Sequence, residues 1–362
     1  MLIVDCSLNK TPRQLGYRFP AEWEPQAATW FSWPHNKETW PGKFDPIPGV
    51  FTGIVKTLAA YQHVNINVVD DAMAGDVRSR LLDAKVDPAR FTLYTIPTND
   101  SWCRDHGPAF VINPNSPEPL AVVDWGYNAW GGKYPPYDLD DIVPSRVAEQ
   151  RRLPVFHPGI IMEGGAIDVN GEGCLLTSRS CLLNQNRNPA LTQKEIEDYL
   201  AEYYNVDKVL WVDEGIAGDD TDGHIDDSAR FVGPHTIAAV VEKNPADENN
   251  KILQKNLTAL KGMTDAHGNH FRIIELPMPS PLFFNGQRLP ASYANFLIAN
   301  DVVLVPTFRD PNDVTAIEIL QRQFQDRAVL GIDCVDLAWG LGTLHCISQQ
   351  EPKVSGGKNT IS

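Results

Sequence analysis

A thiol, an imidazole, several carboxylates and an indole fall in polar clusters of this chain. Cys346 follows His345 in "WGLGTLHCISQQEP", His224 and Asp226 lie in "DTDGHIDD", Glu163 opens onto the glycines of "MEGG", and Trp102 and Asp105 share "NDSWCRD". Asp222 belongs to the same acidic run as His224. A planar cation suits such a set, because its face stacks on an indole while its N–H groups bond a carboxylate edge. Guanidinium is such a cation, and its carbon resists attack because the charge is delocalised. Two carboxylates on opposite edges would hold it and localise charge toward carbon. A thiolate would then add to give a covalent tetrahedral adduct. A histidine would protonate the departing ammonia and later take a proton from water. Glu163 would orient that histidine, as the acid of a triad does.

Each residue also has a plainer reading. Asp219, Asp220, Asp222, Asp226 and Asp227 form a run that is most often a solvated acidic loop. It fails as an EF-hand: with Gly223 at the invariant glycine, the first position is Gly218 and the last is Ala229. His224 and Asp226, at i and i+2, would share one face of a strand. Trp102 and Asp105 would meet only across a turn, because a straight strand separates i from i+3. Gly340 and Gly342 begin a dinucleotide fingerprint that fails at His345, and the stretch is not the G-x-S-x-G elbow. The glycines let backbone approach something closely and present the thiol to a small ligand. Cys103 competes as nucleophile, since the neighbouring Arg104 would lower its pKa. On these residues alone both thiols stay open.

The elements that must position these groups repeat. "AIDVNGEGCLLT", "NPALTQKEIEDYLAEYY" and "KVLWV" read as hairpin, helix and strand; so do "ARFVGPHTIAAVVE", "NPADENNKILQKNLTAL" and "FRIIELP". A third copy is "NFLIANDVVLVP", "DPNDVTAIEILQRQF" and "AVLGID". Two looser copies precede them, one around "FVINPNSPEPLAVVDW", the other around "ATWFSW" and "FTGIVKTLAAY". Asn-Gly, Gly-Pro and Asn-Asp mark the hairpin turns, and Thr192 with Glu195 forms a capping-box pattern. Units recurring at roughly 50–70 residues predict an α/β fold of five repeats closed into a ring, one domain over residues 1–362. The polar clusters fall just before or at the first strand of successive units. In a ring, such equivalent positions meet at one end of the axis and line one pit.

Composition narrows the partners. Lys+Arg 31 against Asp+Glu 46 gives a net charge of −15, which repels nucleic acid and anionic membranes and attracts cations. The six cysteines (Cys6, Cys103, Cys174, Cys181, Cys334, Cys346) show no C-x-x-C pair and no zinc spacing. The start "MLIVDCSLNK" lacks the pattern of a signal peptide, and no apolar run reaches membrane length. A cytoplasmic protein without metal or organic cofactor is expected, with a homo-oligomer left open.

Seven stretches ("PAEWEPQAATWFSWP", "NDSWCRDHGPAFV", "NAWGGKY", "MEGGAIDVNGEGCLLTSRSCLLNQNRNP", "DTDGHIDDSARFV", "ASYANFLIANDVVLVP" and "LHCISQQEP") together resemble the agmatine deiminase family and its bacterial peptidylarginine deiminase relatives. The resemblance runs from about Thr11 to Pro352. It implies a five-unit α/β propeller, with Cys346 as nucleophile, His224 as acid/base and Glu163 as its carboxylate support. It also implies Asp105 and Asp226 as the guanidinium clamp, Trp102 as the indole against it and Asn295 as a pocket residue. Cys103 is demoted, since the "NDSW-x-RD" pattern asks for no thiol there. The family commonly reads "GGGNIHC" where this chain has "GLGTLHC", so Leu341 and Thr343 replace a Gly and an Asn beside the nucleophile.

The resemblance implies hydrolysis of agmatine to N-carbamoylputrescine and ammonia, and Asp222 is the candidate for the far ammonium. Peptidylarginine or free arginine deimination is the alternative, and would need Arg179, Arg187 or Lys133 for the substrate carboxylate. A cysteine peptidase built on Cys346, His224 and Asn295 fits the surrounding carboxylates poorly. A non-enzymatic guanidine binder would need no thiol. The Trp-rich segment (Trp23, Trp30, Trp33, Trp40) reads as core packing, and "GYNAWGGKYPPYDLDD" has the composition of a lid.

Overall fold

Runs such as "TIAAVV" and "VVLVPT" carry apolar side chains on both faces, as strands covered on two sides must. The computed structural model describes residues 10–354, so Cys6 lies outside the described residues. Its strands are β1 Gln26–Ser32, β2 His63–Val68, β3 Phe91–Thr95, β4 Ala109–Ile112, β5 Leu120–Val123, β6 Val155–Phe156, β7 Ile167–Val169, β8 Cys174–Ser178 and β9 Lys208–Val212. There follow β10 Ala229–Gly233, β11 Thr236–Val241, β12 Arg272–Pro277, the small hairpin β13 Phe283–Phe284 and β14 Gln287–Arg288, β15 Leu297–Ala299, β16 Val302–Thr307, β17 Ala328–Asp333 and β18 Ser348–Pro352.

Four sheets share one plan: β4-β5-β6, β7-β8-β9, β10-β11-β12 and β15-β16-β17, each an antiparallel hairpin followed by a parallel third strand. A helix precedes each third strand: Val143–Arg151, Gln193–Tyr204, Asn249–Gly262 and Asn312–Gln323. The larger sheet, β18-β1-β2-β3, repeats the plan with an exchange: the last strand, β18, supplies the antiparallel partner of β1. The extra β3 and its helix Asp71–Asp83 were not anticipated from sequence. The fold is therefore a mixed α/β arrangement.

Local chemistry explains the elements. Helix Ile47–Ala59 buries Ile47, Phe51, Ile54, Val55 and Leu58, the stripe of a 3.6-residue period. Each such side chain contributes about 1.5–3 kcal/mol on burial. The Thr192–Glu195 capping box starts helix Gln193–Tyr204. Trp30, Trp33 and Trp40 are buried, as the sequence suggests.

What the repeat positions is a set of turns. Cys103–His106 leads to β4, Gly164–Ala166 to β7 and Ile225–Asp227 to β10. Residues 292–295 lead to β15 and residues 344–347 to β18. The second of these turns packs on both the first and the third, and the first also packs on β18.

Candidate active site

Trp102 and Asp105 do meet across a turn, because Cys103–His106 is one turn of helix with Trp102 at its N-cap. Asp105 Oδ1 accepts from the Gly165 amide at 2.9 Å, and its Oδ2 from Trp130 Nε1 at 3.0 Å. Burial pushes this carboxylate up to about 6, against the opposing pull of His224, whose Nδ1 lies 3.7 Å from Oδ1. Cys103 is fully buried in the same turn, and burial pushes its thiol up to about 12 despite the Ser32 hydrogen bond and Arg104. The expectation that Arg104 activates Cys103 is therefore wrong: desolvation of a thiolate outweighs one neighbouring cation.

His224 and Asp226 do not lie on a strand. His224 caps the tight turn Ile225–Asp227, which folds both side chains inward and buries them. Asp219 and Thr221 accept from the His224 amide. The acidic run is thus structured and partly buried, not a solvated loop. Burial alone would favour the neutral imidazole, but Asp105, the Cys181 thiol and Asp226 outweigh it and hold His224 well above its usual range. Its Nε2 is buried without a hydrogen-bond partner.

Glu163 lies beside His224 and is itself held by a cation. Its Oε1 accepts from Arg187 Nε at 2.5 Å, both side chains being fully buried. It makes no hydrogen bond or ion pair to His224, although its carboxylate, the ring and the Cys181 thiol form one tight group. Its other oxygen has no hydrogen-bond partner. Arg187 also grips Asp222 at 2.7 Å, and Lys133 and Asn186 take the rest of that carboxylate at 2.9 Å each. Asp222 is absent from the lining of the cavity described below, as are His224, Asp226, Glu163 and Asn295, but it alone of these carboxylates is already taken by two cations and an amide.

Cys346 sits in the turn before β18, its Sγ 3.0 Å from Asn295 Nδ2 and 3.9 Å from Asp226 Oδ2. Burial first, then Asp226, Asp227 and Asp105, hold the thiol well above its usual range. Asp226 is kept below the usual carboxylate range: burial opposes this, but His345 donates to Oδ2 at 2.7 Å. Its Oδ1 is buried without a partner.

The glycines explain themselves by what surrounds them. A Cβ on Gly342 would lie 2.4 Å from the Trp102 ring, and one on Gly340 would lie 2.6 Å from Trp40 Nε1. The close approach predicted for this stretch is real, but its object is a tilted pair of indoles, Trp40 and Trp102, with ring centroids 5.7 Å apart. A Cβ on Gly165 would meet His224 Nδ1 at 2.5 Å and Asp105 Oδ1 at 2.8 Å.

A cavity of about 650 Å³ opens onto Cys346, Trp102, Asp105 and Asp227. Trp130 and Tyr134, from the segment with lid-like composition, form part of its wall, and Trp130 is itself buried. Asp227, Trp130, Cys181, Glu22 and His345 were missed as functional candidates. The "HC" and "DD" pairs were the available signals, since a turn places adjacent residues on the same site.

The profile of the Porphyromonas-type peptidyl-arginine deiminase family matches residues 18–352. The chain belongs to this family. It is 37% identical over 369 residues to the agmatine deiminase of Pseudomonas syringae pv. tomato, covering 96% of this chain and 98% of the relative. Among solved structures, agmatine deiminase of Enterococcus faecalis superposes with a TM-score of 0.90 at 35% identity, covering 96% of this chain and 98% of that one. An agmatine deiminase of C. jejuni with substrate bound gives 0.84 at 32% identity, covering 93% and 97%. The residues matched by the family profile include every candidate site residue.

Proposed function

We propose that the protein hydrolyses the guanidinium group of agmatine to N-carbamoylputrescine and ammonia, as a single domain of five α/β units closed into a propeller by the β18–β1 pairing. The observation that carries the substrate choice is the cavity wall. It presents Glu38, Asp100, Asp140 and Asp220 beside aromatic rings and, among the described residues, no lysine or arginine. A dication with an ammonium tail is attracted to such a wall. Free arginine and a C-terminal arginine bring a carboxylate that would face these acids unpaired. The cations considered for that carboxylate already have acidic partners: Arg187 with Glu163 and Asp222, Lys133 with Asp222 and with Asp220 of the wall, Arg179 with Asp213.

In this reading Trp102 stacks on the guanidinium plane while Asp105 and Asp226 take its edges. Neutralising those carboxylates with the cation removes part of what holds the Cys346 thiol protonated, so substrate binding favours the thiolate. Sγ adds to the guanidinium carbon; a C–N bond breaks and ammonia leaves with a proton from His224, which is held in its charged form. Water then adds to the S-alkylthiouronium carbon, His224 takes its proton, and the C–S bond breaks to return the thiolate. Glu163, through its unpartnered oxygen, and the Glu163–Arg187 pair hold the far side of the imidazole. A cytoplasmic setting accords with thiol chemistry, and among the described residues no helix is long and apolar enough to cross a membrane.

Acid-quenched turnover followed by peptide mass mapping tests the chemistry. An increment of agmatine less ammonia on the Cys346 peptide is expected; the same increment on Cys103, or none during active turnover, would overturn it.

A further inference from the structure

We infer that Asn295 is the donor that holds the Cys346 thiolate, and that Thr343 is the positioning residue that fixes the Asn295 amide for this task. The inference rests on Cys346 being the nucleophile of the proposed reaction.

The orientation of an asparagine amide is decided by its neighbours. Three donors converge on Oδ1 of Asn295: the Thr343 hydroxyl at 2.7 Å, the His345 amide at 3.0 Å and the Cys346 amide at 3.4 Å. Backbone amides only donate, so the atom they face is the oxygen. The NH2 group is thereby turned to Cys346 Sγ at 3.0 Å and to Asp227 Oδ1 at 3.0 Å. Asn295 is fully buried and Thr343 is 1% exposed, so no solvent competes for these bonds.

Three carboxylates face the sulfur, and Asp226, Asp227 and Asp105 all disfavour ionisation of the thiol. Among the described residues, the Asn295 amide is the side chain that donates a hydrogen bond to Sγ. A thiolate in that setting depends on this donor, and the donor depends on Thr343 for a side-chain lock.

The same geometry separates the two departures beside the nucleophile. Leu341 lines the cavity in a left-handed conformation (φ 71°), where its side chain can meet a substrate. Thr343 is absent from the lining and turns its hydroxyl to Asn295, so its task is the thiol rather than the substrate tail.

The test is the pH dependence of Cys346 alkylation by iodoacetamide, mapped by peptide mass, beside agmatine turnover. Thr343→Val keeps the shape and removes the hydroxyl. Its alkylation midpoint is expected to rise by about one pH unit and kcat to fall about tenfold with little change in KM, as weakening of the Asn295 hydrogen bond to the thiolate implies. Thr343→Ser is expected to restore both. If Thr343→Val does not fold, Thr343→Ala against Thr343→Ser reads the same hydroxyl. A midpoint unmoved by loss of the hydroxyl, or not restored by serine, overturns the inference while leaving the nucleophile intact. Full agmatine turnover by Cys346→Ser would instead overturn the proposed function and this inference with it.

Discussion

His345 Nδ1 lies 2.7 Å from Asp226 Oδ2, and this bond leaves Oδ1 as the free acceptor of a fully buried carboxylate. The ring's Nε2 lies 3.1 Å from Glu22 Oε2, and Glu22 in turn contacts Arg230, which also pairs with Asp168. A chain of buried hydrogen bonds and ion pairs thus runs from the core to the candidate guanidinium clamp. Removing one member of a buried ionic network leaves its partners uncompensated. His345→Leu is therefore expected to cost about 3–5 kcal/mol of stability. Denaturant unfolding at neutral pH measures it; a loss below about 1 kcal/mol would mean the network holds little.

The Asp105 carboxylate titrates at about 6, above its ordinary value, because it is buried. Its raised value means ionisation costs folding free energy, and the folded protein keeps the proton until the pH passes that value. Guanidinium binding requires the ionised form. The dependence of kcat/KM on pH is expected to show an acidic limb near pH 6 in the free enzyme, falling about tenfold per unit below it. Asp105→Asn should erase turnover at every pH. A profile flat down to pH 4.5 would remove Asp105 from the clamp.

Gly165→Ala probes the crowding beneath the imidazole. The added methyl would sit 2.5 Å from His224 Nδ1 and 2.8 Å from Asp105 Oδ1, so one of them must move. A displacement of that order costs about 10²-fold in rate. Steady-state turnover and a thermal melt taken together check it: activity is expected to fall much further than stability, and wild-type kcat/KM would contradict the geometry.

Asp222→Asn separates the ammonium role expected from sequence from the role seen in the fold. Lys133, Arg187 and Asn186 already occupy this carboxylate outside the cavity wall. KM for agmatine should stay within about threefold of wild type while stability drops by about 1–2 kcal/mol, as for loss of charge-assisted hydrogen bonds. A large rise in KM at unchanged stability would return Asp222 to the substrate.

The sequence made the units legible because hairpin, helix and strand each carry a local signal: turn residues, a capping box, and a switch from continuous apolar runs to helical period. It also made legible that the candidate residues gather just before each first strand. What it could not show was pairing that depends on the far end of the chain. β18 completes the sheet of β1 across nearly the full length of sequence, and no local pattern announces that. The site followed the same rule. Cys346, His224, Asp105 and Asp226 could be picked by residue type, but the side chains that hold the site's carboxylates and rings lie far from them in sequence. Arg187 on Glu163, Trp130 on Asp105 and Glu22 on His345 are long-range contacts with no motif of their own. Asp222 misled because an acidic side chain near a candidate site looks like a ligand until its cations are seen.

Ammonia release from agmatine, free arginine and a C-terminal arginine peptide, with Cys346→Ser in parallel, tests the central claim most directly. Agmatine is expected to be turned over with kcat/KM at least about 10²-fold above either arginine substrate, since their carboxylate meets the acids of the cavity wall with no lining cation to pair it. The Cys346→Ser protein is expected to be inactive on all three. Preferential turnover of arginine or of the peptide would contradict the reading of the acidic wall, and an active Cys346→Ser protein would contradict the chemistry.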